Sequence, residues 1–380
     1  MTDLENILPL WHELEKSGAD YVLATIVAIE GPSYRKPGAR MLIAQDGRRA
    51  GTVSGGCLEA EVVQRAWWLT ESGPVVERYS TAEDDGDLPY GSGCGGVVFL
   101  LLERRATATS LLAGLEAAFN ARTSLAIATV LEGPNIGYRV FAGLTRNPVE
   151  SQFAHNADDP ELRDMAELAL SRCRSLDQMA AICGIETRVW VDYRAARPGL
   201  WIFGAGDDAK SLLQTARALG WFVAVVDGRS HLATRDRFPA ADLVLALPIA
   251  ELPEAASAHF HLHTTDVAVV MTHSFDQDSR ILASLLCISR PLAYLGVLGP
   301  QRRTRELLTE AARLLHLTEP EDRAEDWLSQ LHAPTGLDLG AETPASIALS
   351  ILSEIQQVLA KATGQPLREV RAVQLPLAQR

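Results

Sequence analysis

A glycine-rich turn in the second half of the chain has the spacing of a phosphate-binding site. Residues 200–229 read LWIFGAGDDAKSLLQTARALGWFVAVVDGR, in which an apolar run leads into Gly204 and Gly206. Glycine at these positions lets a phosphate group approach the backbone, and the helix that follows offers its N-terminus to the anion. Asp227 closes the second apolar run about 20 residues later, where an acid meets a ribose hydroxyl in dinucleotide-binding folds. The stretch therefore predicts a Rossmann-type unit.

Two cysteines in the first half also lie in glycine-rich turns. Cys57 follows Gly55 and Gly56 in SGGCLEAE, and Cys94 lies in GSGCGG. Glycine neighbours leave a thiol accessible, and a helix N-terminus favours the thiolate, which binds soft metals and attacks electrophiles. The alternative is a small buried residue at a strand end. An apolar stripe after Cys57 predicts a helix there and favours the functional interpretation, whereas both interpretations stay open for Cys94.

A basic turn precedes the first of these cysteines. The segment SYRKPGARM places Arg35, Lys36 and Arg40 around a Pro-Gly pair. Such a turn can hold a phosphate or a pterin-like anion through charge-assisted hydrogen bonds. A solvated surface turn is the alternative.

Two further loops follow predicted strands in the second half. MTHSFDQD places His273 after the apolar run VAVVM, and LGVLGPQRR places Gly299 and Arg302 after another. Because the carboxyl ends of parallel strands meet at one sheet edge, these loops are expected to face the same crevice as Gly206. Histidine there can donate to a phosphate or transfer a proton, and arginine can neutralise negative charge. Alternatively, His273 caps the next helix and the arginines are solvated.

Length and patterning predict two domains. A chain of 380 residues with 47% apolar content can bury two cores, and the ARPG break suggests domains at 1–194 and 195–380. We expect an α/β protein with a strand-rich α+β N-terminal domain and a doubly wound parallel sheet in the C-terminal one. Thr343 and Pro344 predict the start of a long C-terminal helix. A helix is also expected to contain Cys173 and to end before Gly184, and Cys173, Cys183 and Cys287 are expected to be packing residues.

Charge and cysteine usage limit the function classes. The net charge of −13 disfavours a general nucleic-acid or membrane surface. An N-terminal signal and a long apolar span are both missing from the sequence, so we expect a cytoplasmic protein. Five widely spaced cysteines predict neither a disulfide framework nor a structural zinc site.

Taken in order, the motifs resemble one family. GPSYRKPGARMLI, SGGCLEAEV, GSGCGG, IFGAGDDA, VVDGR, MTHSFDQD, LGVLGPQRR and GLDLGAETPASIALSILSEI together resemble the XdhC/CoxI family of xanthine dehydrogenase accessory proteins. The resemblance implies a maturation factor that binds molybdenum cofactor and helps load it into a molybdenum hydroxylase, with a cysteine desulfurase as a further partner. It implies that Cys57 contacts the molybdenum end and that Arg35, Lys36 and Arg40 assist. It also implies that the C-terminal domain holds a nucleotide, including that of a cytosine dinucleotide form of the cofactor.

One departure from the family pattern bears on nucleotide binding. Many relatives carry histidine after the second glycine, whereas this chain has Asp207 and Asp208. Two carboxylates there would repel a bare pyrophosphate, so that either a bound Mg²⁺ screens them or binding is weak. The alternative functions are an NAD(P)-dependent oxidoreductase, which Asp227 would bias toward NAD, and a metal-dependent nucleotidyl transferase acting on the pterin. A homodimer is also compatible with the apolar strand edges and the C-terminal helix.

Overall fold

The chain folds into two compact units, Met1–Arg197 and Pro198–Arg380. A computed structural model describes residues 2–56, 58–80, 96–144, 159–182, 184–248, 260, 262–287 and 292–372. The division lies three residues beyond the boundary expected from the ARPG break. Cys57, Cys94 and Cys183 lie outside the described residues.

The N-terminal unit contains two antiparallel sheets. The first has the strand order β3-β2-β1-β5-β4, and the second has the order β7-β6-β9-β8. The strands are β1 (Tyr21–Glu30), β2 (Arg40–Ala44), β3 (Arg49–Gly51), β4 (Val75–Ser80), β5 (Val97–Arg104), β6 (Leu125–Val130), β7 (Arg139–Ala142), β8 (Leu176–Ile182) and β9 (Ile185–Arg194).

Helices cover both faces of the first sheet, which explains why β1 reads as a continuous apolar run. The helices of this unit are α1 (Thr2–Ser17), α2 (Glu59–Leu69), α3 (Arg105–Ala121) and α4 (Pro160–Arg172), with a 3₁₀ turn at Gly133–Asn135. Tyr21 and Leu23 pack in one cluster with side chains of α1 and α3. Val22 and Ala24 pack in another with side chains of α2. Strand β1 is therefore the central strand of the first sheet, and both of its faces are covered by helices.

The helix that was expected to contain Cys173 ends earlier. Helix α4 ends at Arg172, and Cys173 is its C-cap in the left-handed conformation. Strand β8 follows, and its apolar residues Ala180 and Ile182 alternate with exposed ones in the two-residue period of a strand. Cys173 and Cys287 are exposed, so the expectation that they are packing residues was wrong.

The C-terminal unit is built on a parallel sheet with the order β12-β11-β10-β13-β14. This order reverses between β10 and β13, as it does in the doubly wound dinucleotide-binding fold, and it confirms the predicted fold class. The strands are β10 (Gly199–Phe203), β11 (Phe222–Asp227), β12 (Leu243–Ala246), β13 (Val267–Val270) and β14 (Tyr294–Val297).

Helices lie on both faces of the parallel sheet. They are α5 (Asp207–Ala218), α6 (Phe275–Leu286), α7 (Gln301–Leu314), α8 (Pro320–Leu328), α9 (Pro344–Ala360) and α10 (Leu367–Ala372). Leu200 and Ile202 pack with side chains of α5 and α9, whereas Trp201 and Phe203 pack with those of α6 and α7. Thr343 caps α9 as predicted, through a reciprocal capping box with Ser346. Within the described residues, no helix combines the length and apolar character needed to cross a membrane.

Gly204 lets strand β10 leave the sheet at the point where the strand order reverses. Its φ is +133°, and a Cβ atom there would lie 2.6 Å from the carbonyl oxygen of Met271 and 3.0 Å from the amide nitrogen of Thr272. Both neighbours are backbone atoms of the segment that follows β13, so neither can move aside cheaply. The glycine is required by a close approach of two chain segments as well as by its conformation.

We expect Gly204→Ala to lower the free energy of unfolding by at least about 2 kcal/mol, since it adds a clash to an unfavourable φ. Gly340→Ala is the matched control, because Gly340 has a φ of +66° but no atom within 4 Å of an added Cβ. The control should lose only about 1 kcal/mol in denaturant unfolding. Equal losses in the two variants would show that the close approach has no energetic consequence.

Candidate functional site

Three sequence motifs of the N-terminal unit meet at the end of strand β1. Tyr34 is 74% exposed, and its ring lies 3.7 Å from the position of an added Cβ at Gly55. A Cβ at Gly96 would overlap the carbonyl oxygen of Pro32. The basic turn, residues 31–40, therefore contacts the glycine loop around Cys57, residues 52–58. It also contacts the end of the glycine-rich segment that contains Cys94.

The glycine loop is held by one buried carboxylate, that of Glu59 at the first position of α2. Its Oε1 accepts hydrogen bonds from the backbone N–H groups of Val53 (3.2 Å) and Ser54 (2.8 Å) and from the Thr52 hydroxyl (2.9 Å). Its Oε2 accepts from the Ser54 hydroxyl. Ser54 Oγ in turn accepts from the N–H groups of Gly56 (3.0 Å) and Leu58 (3.1 Å). These bonds fix the backbone on both sides of Cys57.

The same bonds keep Glu59 ionised. Burial raises the pKa of this carboxyl, but hydrogen bonds from Ser54, Thr52 and the loop backbone outweigh it and lower the pKa below its ordinary value. Buried hydrogen-bonding groups thus hold this loop, while Gly55 and Gly56 are exposed.

The three predicted cationic residues of the basic turn have different environments. Arg40 is 5% exposed, and it donates to the Gly38 carbonyl (2.9 Å) and to Asp192 in β9 (2.7 Å). Burial lowers the pKa of Arg40 to about 10. Arg35 pairs with Asp3 of α1, whereas Lys36 is exposed. Arg40 therefore anchors the turn to the second sheet, and Lys36 is the residue placed to meet an external anion.

In the C-terminal unit, the predicted residues gather at the carboxyl edge of the parallel sheet. Asp227 is 1% exposed, and it accepts from the Ala205 N–H (2.8 Å) in the glycine turn. Arg229 donates to both its oxygens, at 2.9 and 2.8 Å, and also to the Thr272 carbonyl (3.3 Å). Burial raises the pKa of Asp227. Hydrogen bonds from the Arg229 side chain and from the backbone N–H groups of Arg229 and Ala205 outweigh burial and hold this pKa below its ordinary value.

The buried Asp227 side chain therefore stabilises the glycine turn at residues 204–206. The ribose-binding role predicted for it would require the Arg229 pair to open, and that role stays a prediction. The pairing of Arg229 with Asp227 was not predicted from the sequence. A basic residue two positions after an acid does not indicate an ion pair unless the backbone conformation at the end of the strand is known.

The two aspartates after Gly206 point to different partners. Asp207 Oδ1 lies 2.7 Å from Lys210 Nζ and 3.1 Å from Arg237 Nη2. Asp208 turns back over Gly206, where an added Cβ would lie 2.5 Å from its Oδ1. Its Oδ2 lies 3.1 Å from His273 Nε2. The carboxylates do not converge on one point, and among the described residues no group of three or more His, Cys, Asp or Glu side chains could hold a metal ion.

His273 lies after strand β13, at the carboxyl edge of the parallel sheet, and is not the helix cap. It has the left-handed φ of +62°, a conformation that costs free energy in a residue with a side chain and is common at functional sites. Ser274 caps α6 by accepting from the Gln277 N–H. His273 is therefore free of the capping role and faces Asp208.

Of the two arginines after Gly299, the structure places the second near the crevice. The Arg302 side chain is 91% exposed and pairs with Glu306 along α7. Arg303 lies beside Gly299, 3.7 Å from an added Cβ, and donates to the buried Asp278 at 2.6 Å. Asp278 also accepts from the backbone and hydroxyl of Thr272. Helical spacing alone did not reveal which arginine faces inward.

Comparisons with known proteins show the family of the chain. Residues 14–80 match the XdhC and CoxI family, and residues 200–355 match the XdhC Rossmann domain. A Bacillus subtilis (strain 168) protein, named as a probable xanthine dehydrogenase subunit, is 32% identical over 338 residues, which are 88% of this chain and 92% of that protein. The chain belongs to the XdhC and CoxI family.

Two further relatives span almost the whole chain. The molybdenum cofactor insertion chaperone PaoD of Escherichia coli (strain K12) is 26% identical over 94% of this chain and 89% of its own length. A crystal structure from Bacillus halodurans, described as a xanthine dehydrogenase, has a TM-score of 0.67 and 28% identity. The match covers 95% of this chain and 96% of that one.

The match of residues 14–80 to the XdhC and CoxI family includes the basic turn, the glycine loop and Glu59.

We expect Glu59→Gln to lower the free energy of unfolding by about 2 kcal/mol near neutral pH, because it removes charge-assisted hydrogen bonds. The folded-state pKa of Glu59 is lowered, so this stabilisation is present above the ordinary value of 4.5 and lost as the pH falls below it. The difference from wild type in denaturant unfolding should shrink accordingly. Glu13→Gln, at a side chain that is 60% exposed, is the control and should cost well under 1 kcal/mol. A pH-independent Glu59 effect would contradict the account.

The position of Asp208 predicts how the glycine turn responds to substitution. Asp208→Ala removes a negative charge from above Gly206, so we expect any binding of ADP or NAD to strengthen by about tenfold, or about 1.4 kcal/mol. Gly206→Val fills the same space and should weaken it. Calorimetric titration of both variants is the measurement, and unchanged affinity in both would show that the turn does not contact a nucleotide.

Proposed function

We propose that this protein is an accessory factor that binds molybdenum cofactor and delivers it to a xanthine dehydrogenase-type molybdenum hydroxylase. The observation that carries the proposal is the anchored glycine loop at residues 52–58, whose flanks around Cys57 are fixed by Glu59 and Ser54. Family membership and the similarity to a molybdenum cofactor insertion chaperone support it. In this proposal the cofactor is cargo, and the protein need not turn it over.

The donor set around the loop fits such a cargo. Thiolate sulfur is a soft ligand for a metal centre. In the sequence, Cys57 lies two residues before Glu59, the first residue of α2, and a thiol near a helix N-terminus is favoured as the thiolate. Exposed backbone at Gly55 and Gly56 permits close approach. Lys36 supplies an exposed positive charge in the adjoining turn, which matters in a chain with a net charge of −13.

The C-terminal unit supports the alternative functions less well. A dehydrogenase that uses this fold needs its glycine turn and strand-end acid available to the dinucleotide. Here Asp208 lies over Gly206, and Asp227 is buried against Arg229. A Mg²⁺-dependent transferase would need Asp207 and Asp208 to converge, whereas Asp207 pairs with Lys210 and Asp208 contacts His273.

The partners follow from the same reasoning. The client is proposed to be a molybdenum hydroxylase because the curated relatives carry the names of such an enzyme and of an insertion chaperone. A cysteine desulfurase as sulfur donor, a homodimeric state and a cytoplasmic site of action are further parts of the proposal.

We expect Cys57→Ser to abolish activation of a cofactor-free client enzyme in a purified reconstitution, while its thermal unfolding matches wild type. Serine keeps the size of the side chain but lacks a soft ligand atom. Cys173→Ser and Cys287→Ser are the matched controls, because both thiols are exposed. They should activate the client fully. Full activation by Cys57→Ser would remove the thiol from the mechanism.

A further inference from the structure

A groove of about 290 Å³ lies beside the basic turn in the N-terminal unit. Its apolar lining includes Val27, Ile29, Phe99, Leu176 and Trp190, together with Pro37 of the basic turn. A groove of this volume has room for a flat two-ring heterocycle.

The strand beneath the groove is irregular at this place. Strand β1 pairs regularly with β5 up to Ile26, opposite Leu100, and resumes at Ala28, opposite Phe99. Val27 is the extra residue of this bulge, and both Val27 and Ala28 line the groove. Bulges redirect side chains and are common next to functional sites. The bulge is an observation independent of the groove's volume.

Charged side chains at the groove supply both hydrogen-bond acceptors and donors. Asp177 is held by Arg188 through two hydrogen bonds of 2.9 and 2.7 Å. Glu30, at the end of β1, is exposed and lines the same groove. A carboxylate can accept two parallel N–H bonds, so it matches the adjacent ring N–H and amino group of a 2-amino-4-oxopyrimidine edge.

The groove and the loop before Cys57 both contact the basic turn. Pro37 lines the groove, and Tyr34, three residues earlier in the same turn, lies beside Gly55 of the loop that leads to Cys57. One short turn therefore connects the two regions along the chain.

We propose that this groove binds the pterin ring system of the cargo, with Glu30 accepting from its 2-amino edge. The inference rests on the proposed function, because it assigns one end of the same ligand. It adds a second contact region, distinct from the loop at Cys57, and it names Ala28 and Glu30 as determinants of ring binding.

Metal-free pterin is the probe that tests the groove separately from the thiol, and its fluorescence reports binding to the full chain. We expect one-to-one binding, weakened at least tenfold by Ala28→Phe, which fills the groove, and about tenfold by Glu30→Gln. Ala28→Ser is the size control and should bind as wild type does. Lumazine, which carries oxygen in place of the 2-amino group, should bind wild type about tenfold more weakly than pterin, because its 2-oxo group cannot donate to Glu30. Cys57→Ser should not change pterin binding.

The outcomes separate this inference from the proposed function. Pterin binding that is equal in wild type, Ala28→Phe and Glu30→Gln would overturn the groove assignment. Tight binding of the complete cofactor without any binding of pterin would also overturn it and would leave the proposed function standing. Failure of wild type to bind either molecule would overturn both. Thermal unfolding of each variant verifies that a loss of binding does not reflect a loss of fold.

Discussion

Gly55 and Gly56 have no side chains with which to fix the conformation of the loop before Cys57, so that neighbouring groups must do so. In the N-terminal unit one such group is the Glu59 carboxylate, which accepts from the backbone on one side of the loop and, through Ser54, orders the backbone on the other. An ionised carboxylate is stable in this buried position only because so many donors converge on it. The conformation of the described residues on either side of Cys57 depends on this interaction.

The C-terminal unit uses the same physical solution for its own glycine turn. Asp227 accepts from the Ala205 N–H and is neutralised by Arg229, which also reaches the Thr272 carbonyl at the end of the neighbouring strand. In both units a buried acid that accepts from backbone N–H groups fixes a glycine-containing turn. The difference lies above the turn, where the N-terminal loop exposes glycines and the C-terminal turn is covered by Asp208. That difference is the reason for assigning cargo binding to the N-terminal unit.

Much of the fold could be predicted from the sequence because its signals are local. The parallel sheet, the helix after Cys57 and the capped helix at Thr343 follow from periodicity and capping residues, and the structure confirms them. The roles of Arg40, Arg229 and Arg303 could not be predicted, because each depends on a carboxylate brought near by tertiary folding. Glu59 was overlooked for a related reason: an acid in the first turn of a helix is ordinary, and its contacts with residues 52–54 appear only in three dimensions.

The central claim is that the protein carries molybdenum cofactor, and equilibrium binding tests it most directly. The purified full chain would be titrated with molybdenum cofactor in a calorimeter, and NAD(H) would be titrated in parallel under identical conditions. The account predicts tight, stoichiometric binding of the cofactor without a response to NAD(H). Binding of NAD(H) without binding of the cofactor would contradict it and would direct attention to a dehydrogenase substrate.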